Sequence, residues 1–95
     1  MTIRLTPRAE ADLAKIWDYT ADRWGIDQAE AYIRELWRGM AFIAADPRRG
    51  KASDDVRPGY RRYPAGSHLI FFRPAGEDIE VIRVLHQRMD HEQHL

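Results

Sequence analysis

The chain closes with VIRVLHQRMDHEQHL, residues 81–95, and its character changes within one position. Val81, Ile82, Val84 and Leu85 read as a buried strand, whereas His86, Arg88, Asp90, His91 and His94 are titratable or cationic. Tyr60, Arg61, Arg62, His68 and Arg83 add related groups nearby in the expected sheet. Cleaving RNA through its 2′-hydroxyl needs a base, an acid for the leaving oxygen, and cations for the phosphorane charge; His, Tyr, Glu and Arg supply all three. The same residues also have a plainer reading. Arginines are ordinary on an exposed sheet face, a histidine at a strand end is usually a hydrogen-bonded structural group, and on chemistry alone this structural reading leads.

Other chemistries find less support. His91-Glu92-Gln93-His94 places two histidines three apart instead of the four of a zinc-protease helix, at a chain end with no second shell to hold ligands. It reads as a solvated tail, with no metal set and no cofactor implied. Ser53 and Ser67 are the only serines, and neither sits in a nucleophile elbow. There is no glycine-rich phosphate loop.

The elements that must position these groups follow from periodicity and caps. Thr2–Thr6 is a short strand with Ile3 and Leu5 alternating. Thr6 caps and Pro7 opens a first helix, whose stripe of Ala9, Leu13, Ile16, Trp17, Thr20 and Trp24 ends before Gly25. Asp27 and Glu30, spaced as a capping box, open a second helix with the stripe Ala29, Tyr32, Ile33, Leu36, Met40 and Ile43, which stops at Asp46-Pro47. So short a connection makes the two an antiparallel hairpin. Residues 48–59 read as loop, and strands are expected at Tyr60–Tyr63, Ser67–Arg73 and Asp78–Leu85, separated by Pro64-Ala65-Gly66 and Pro74-Ala75-Gly76-Glu77-Asp78 turns. The expected class is α+β: β-α-α-β-β-β, a helical hairpin packed on a small, mostly antiparallel sheet. Strand alternation would put part of the titratable group on the face that the helices leave open.

Ninety-five residues allow one domain, 1–95, and one core. An apolar fraction of 44% with three tryptophans argues against disorder. With no cysteine there is no disulfide, no thiolate nucleophile and no cysteine-bound metal. No apolar leader or membrane-length run is present, so the expected location is cytoplasmic, away from membranes. The net charge is zero, which argues against coating nucleic acid by bulk charge; no direct sequence-specific nucleic-acid binding is expected. Lys15 and Lys51 are the only lysines, so 13 of the 15 basic residues are arginines. Seven basic residues against Asp54 and Asp55 between Arg48 and Arg73 make one region positive. Three tryptophans and three phenylalanines exceed what so thin a core encloses; Trp17 is assigned to the core, while Trp24 and Trp37 are the partner-facing candidates.

The run LTPRAEADLAKIWDYTADRW from Leu5, then Gly25, Ala29-x-x-Tyr32, Leu36 and Asp46-Pro47-x-x-Gly50 resembles the ParE branch of the RelE/ParE toxin superfamily. So do Arg57-Pro58-Gly59-Tyr60-Arg61-Arg62, the strand Gly66-Ser67-His68-Leu69-Ile70-Phe71-Phe72, and Ile82 to Asp90, IRVLHQRMD. The resemblance implies a toxin of a type II toxin–antitoxin system that inhibits DNA gyrase and is neutralised by a ParD-like antitoxin. It assigns Arg83, His86, Arg88 and Met89 to target binding, and Trp24, Trp37, Arg57, Arg61, Arg62 and Arg73 to the antitoxin. RelE-type relatives instead cleave messenger RNA on the ribosome, which would give Arg61, Arg83 and His86 catalytic roles. An inactive homologue that only binds antitoxin is the third alternative. The ParE-like ending and the lack of any lysine after Lys51 favour the reading without catalysis.

Overall fold

The computed structural model describes residues 2–89 and 91–95, the side chains of His91 and Glu92 excepted. Thr6 opens the first helix as expected: its backbone is extended and its hydroxyl accepts the Ala9 amide at 3.1 Å, while Pro7 takes the first helical position. This helix, α1 (Pro7–Trp24), follows strand β1 (Ile3–Leu5). It ends at Gly25, whose φ of 93° is a conformation that side chains resist. The second helix, α2 (Ile26–Ala45), starts at the very next residue. Gly25 is therefore the whole connection and also the N-cap. Asp27, expected to cap, lies in the first helical turn and makes no cap bond, because the chain has already turned.

Four further strands complete the sheet: β2 (Lys51–Ala52), β3 (Arg61–Ala65), β4 (His68–Ala75) and β5 (Asp78–His86). Their order is β1-β5-β4-β3-β2, with β1 parallel to β5 and every other pair antiparallel. The β-α-α-β-β-β expectation therefore holds with one strand added, an α+β layer of two helices on a mixed five-stranded sheet.

The additions have local causes. Within the segment expected to be loop, a 3-10 turn at Pro47–Arg49 leads to Gly50, where a β-carbon would collide with the Phe72 ring. Only glycine lets the chain lie this close to the sheet, and Arg61 donates to the Gly50 carbonyl at 3.1 and 2.7 Å. Lys51 and Ala52 then pair with Arg62 and Arg61. Strands β3 and β4 run on through Pro64 and Pro74, both expected in turns. Each proline lies past the last residue that pairs on its strand's other side, Arg62 and Phe72, so its missing N–H breaks no ladder bond.

One core lies between the layers. Ile16, Leu36, Met40 and Ile43 from the helices meet Ile70, Phe72, Ile79, Val81 and Val84 from the sheet. Strand β5 contains an irregularity that matters for the site. Val81 is opposite Phe72 and Arg83 is opposite Phe71, so Ile82 is an extra residue, a β-bulge. Val81 and Val84, three apart instead of two, both enter the core. Phe71, Arg83 and Leu85 are buried outside that cluster.

Candidate functional site

A cleft of about 850 Å³ opens where the helical hairpin meets the end of the sheet. Lys15, Tyr19 and Thr20 of α1 line one wall, Trp24 and Gln28 its tip, and Tyr32, Ser67, His68 and His86 its floor. Tyr19 and Trp24 are 59% and 69% exposed, so the rim presents bare aromatic surface. Arg23 lies over the Tyr19 ring at 4.8 Å.

The floor is built around a tight turn. Gly66 and Ser67 join β3 to β4, and Gly66 has a φ of 58°. A β-carbon there would lie 2.7 Å from the Tyr32 ring, so glycine is required both for the turn and for the approach of α2. The Ser67 amide donates to the Tyr32 hydroxyl at 2.9 Å, and that hydroxyl meets His68 Nδ1 at 2.5 Å. Burial pushes the Tyr32 phenol up, so it stays protonated and can donate to His68. Burial, reinforced by the neighbouring His86 ring, pushes His68 down to about 4. The two imidazoles meet edge to face with centroids 5.4 Å apart, and His86 Nδ1 accepts the Arg88 amide at 3.1 Å. His68 is thus a neutral, hydrogen-bonded ring at neutral pH, fixed by a tyrosine from the opposite layer.

Beside this cleft lies a buried ion pair. Arg83 and Asp12 are 9% and 7% exposed. Arg83 Nε and Nη2 donate to the two Asp12 oxygens at 2.7 and 2.8 Å, a bidentate fork. Asp12 Oδ2 also accepts the Val84 amide at 3.0 Å, beyond the end of β1, whose last paired residue, Leu5, is opposite Val81. The remaining nitrogen, Nη1, donates to the His94 carbonyl at 2.6 Å. Asp12 raises the Arg83 pKa further, so the charge is permanent. The tail expected to be solvated instead forms a short turn, α3 (His91–His94), gripped by this arginine. The His91 side chain lies outside the described residues, and among those described no group of metal-ligating side chains comes together.

The expected site residues are therefore dispersed. Arg83, which the resemblance assigns to target binding or, in the RelE alternative, to catalysis, is inside the fold with all three guanidinium nitrogens engaged by Asp12 and α3. Arg61 pairs with Phe72 while His86 pairs with His68, four residues further along β4, roughly 13 Å at strand rise. Arg61, Arg83 and His86 thus form no single constellation. His68 and His86 sit in the cleft beside the helices, not on the sheet face left open. Arg88 and Met89 are exposed just after β5. Trp24 and Trp37 are exposed, Arg57 and Arg73 are exposed, and Arg61 and Arg62 are half-buried on β3. Arg73 forms an ion pair with Glu80 at 2.8 Å. Trp17, assigned to the core, is only half-buried and lies outside the core cluster, and Ser53, directly after β2, is fully buried.

Tyr32, Ser67 and Asp12 had not been assigned to a site. A signal for two of them existed. Asp12 interrupts the buried stripe of α1 between Ala9 and Ile16, and a carboxylate on such a stripe requires a partner. Tyr32 lies in the stripe of α2, where a phenol needs somewhere to send its hydroxyl.

Comparison with known proteins fits this architecture. The family model described as ParE toxin of type II toxin-antitoxin system, parDE, matches residues 3–91. The chain belongs to the ParE toxin family. It is 56% identical to Toxin ParE1 of Mycobacterium tuberculosis over 92 residues, covering 96% of this chain and 94% of that protein. It is 48% identical to Toxin ParE1 of Caulobacter vibrioides, with 97% and 95% covered, and 40% identical to Toxin ParE of Escherichia coli, with 90% and 84% covered. A solved structure titled as the chromosomal ParDE TA system from P. aeruginosa superposes with a TM-score of 0.78 over 90% of this chain and 95% of that one, at 22% identity, and so shares the fold. The ParE assignment makes this chain a toxin of a type II toxin–antitoxin system. No helix among the described residues is long and apolar enough to cross a membrane.

Proposed function

We propose that this toxin acts by binding DNA gyrase without catalysing a reaction, and that a ParD-like antitoxin silences it in the cytoplasm by covering its surface. The observation that carries the reading is the commitment of Arg83: all three of its donor nitrogens are engaged inside the fold. Of the two arginines named for a reacting phosphate, Arg83 is thereby a structural group, and Arg61 donates to the Gly50 carbonyl. What the surface offers instead is docking area. Arg88 and Met89 are exposed after β5 and form the target-facing patch with His86 at its edge. Trp24 and Trp37, with Arg57, Arg61, Arg62 and Arg73, suit an antitoxin segment that is apolar and acidic.

The two surfaces are separable by mutation. Arg88→Ala combined with Met89→Ala should weaken inhibition of gyrase supercoiling with little effect on antitoxin affinity, and Trp24→Ala should do the reverse. Unchanged inhibition in the double variant would remove the C-terminal patch from the target surface. One observation supports ribosome-dependent RNA cleavage as a second reading: His68, His86 and Tyr32 share one cleft, so acid and base groups do lie together. That reading requires cleavage of ribosome-bound message that His86→Ala abolishes.

A further inference from the structure

Burying an arginine and an aspartate together rarely stabilises a fold more than apolar side chains of equal volume would. The Asp12–Arg83 pair therefore calls for a second role. Its geometry supplies one. Two guanidinium nitrogens lie along Asp12, and the third reaches across to a backbone carbonyl of α3. A lysine in this position gathers its three donors on one nitrogen and lacks the planar fork that meets both Asp12 oxygens while a separate nitrogen reaches α3.

The segment between β5 and α3 is held from the other side as well. The Gln87 amide donates to the Ser67 carbonyl at 3.0 Å, the Gln87 side chain donates to the Gly66 carbonyl at 3.2 Å, and the Met89 amide donates to the His86 carbonyl at 3.0 Å. Exposed Arg88 and Met89 thus lie between two anchors: the β3–β4 turn before them and the α3 turn after them.

We propose that Arg83, aimed by Asp12, is a clamp that holds α3 against the sheet and thereby fixes the presentation of Arg88 and Met89 to the toxin's target. Asp12 and Arg83 are positioning residues; neither touches the target. The functional consequence rests on the docking reading above, whereas the clamp is a property of the fold and is tested without any target. The chain has no cysteine, so Gln93→Cys gives a single attachment point on the exposed side of α3 for a nitroxide spin label.

In the labelled full-length protein the electron paramagnetic resonance spectrum should show restricted motion. Arg83→Lys, which keeps a cation opposite Asp12, should convert most of that signal to fast motion while circular dichroism and core amide protection stay as in the parent. Asp12→Asn should act in the same direction. Inhibition of supercoiling should fall by about tenfold or more in Arg83→Lys. Antitoxin affinity should stay within about twofold, as for sites that share no contacts. An immobile label in folded Arg83→Lys would overturn the clamp, and so would global unfolding of both variants, since the pair would then serve folding alone. If the parent protein does not inhibit gyrase, the docking reading fails and the label result still decides the clamp.

Discussion

At the scale of single residues, the lesson is how little a side chain's type says about whether it is available. Arg83 and His86 stand three apart on one strand, yet the first is consumed by Asp12 and α3 while the second borders a cleft. The sequence showed that both were chemically capable. It did not show that Asp12, far away on α1, and the carbonyl of His94 take up the Arg83 donors, because those contacts are not local in the chain. His68 makes a testable case. Burial keeps its ring neutral in the fold, with a pKa near 4 against an ordinary value of 6.5. As pH falls the unfolded chain takes up the proton first, so this contribution to stability is complete above pH 6.5 and is lost progressively as pH drops towards 4. Urea midpoints measured between pH 7 and 5 should decline more steeply in the parent than in His68→Gln. Parallel declines would mean that His68 titrates normally in the folded protein.

At the scale of elements, the helices were the more legible part. Their stripes, the Thr6-Pro7 start and the Gly25 stop are local features, written in consecutive residues. Thr6→Ala should cost about 1 kcal/mol through loss of the cap to Ala9. Leu36 is fully buried in the core whereas Leu13 only packs at its margin, so Leu36→Ala should cost about 2–5 kcal/mol and Leu13→Ala distinctly less. Equal denaturant midpoints for the two variants would show that the helical faces are misassigned. The sheet was less legible because its details are non-local. Lys51–Ala52 becomes a strand only because Gly50 passes over Phe72, more than twenty residues ahead, and Pro64 and Pro74 are tolerated only because neighbouring strands end first. Asp27 illustrates the converse: a good local cap signal that a one-residue connection overrode.

At the scale of the whole molecule, a small core leaves substantial aromatic surface in solvent. Tyr19, Trp24, Ile26, Trp37 and Phe42 are all more than a third exposed, an arrangement suited to being covered by a partner. The surplus was readable from composition; the cleft that gathers Tyr19 and Trp24 with His68 and His86 was not, since it depends on how the hairpin lies over the sheet. Exposed ion pairs such as Arg4–Asp78 and Arg73–Glu80 contribute little to stability, which leaves the arginines on this surface available for recognition. The central claim is that recognition, not catalysis, makes this protein toxic. Its most direct test is DNA gyrase supercoiling with the purified protein, with and without its cognate antitoxin. The account predicts inhibition that rises with toxin concentration and is reversed by stoichiometric antitoxin. Full supercoiling activity in the presence of folded toxin, together with cleavage of ribosome-bound message, would contradict it.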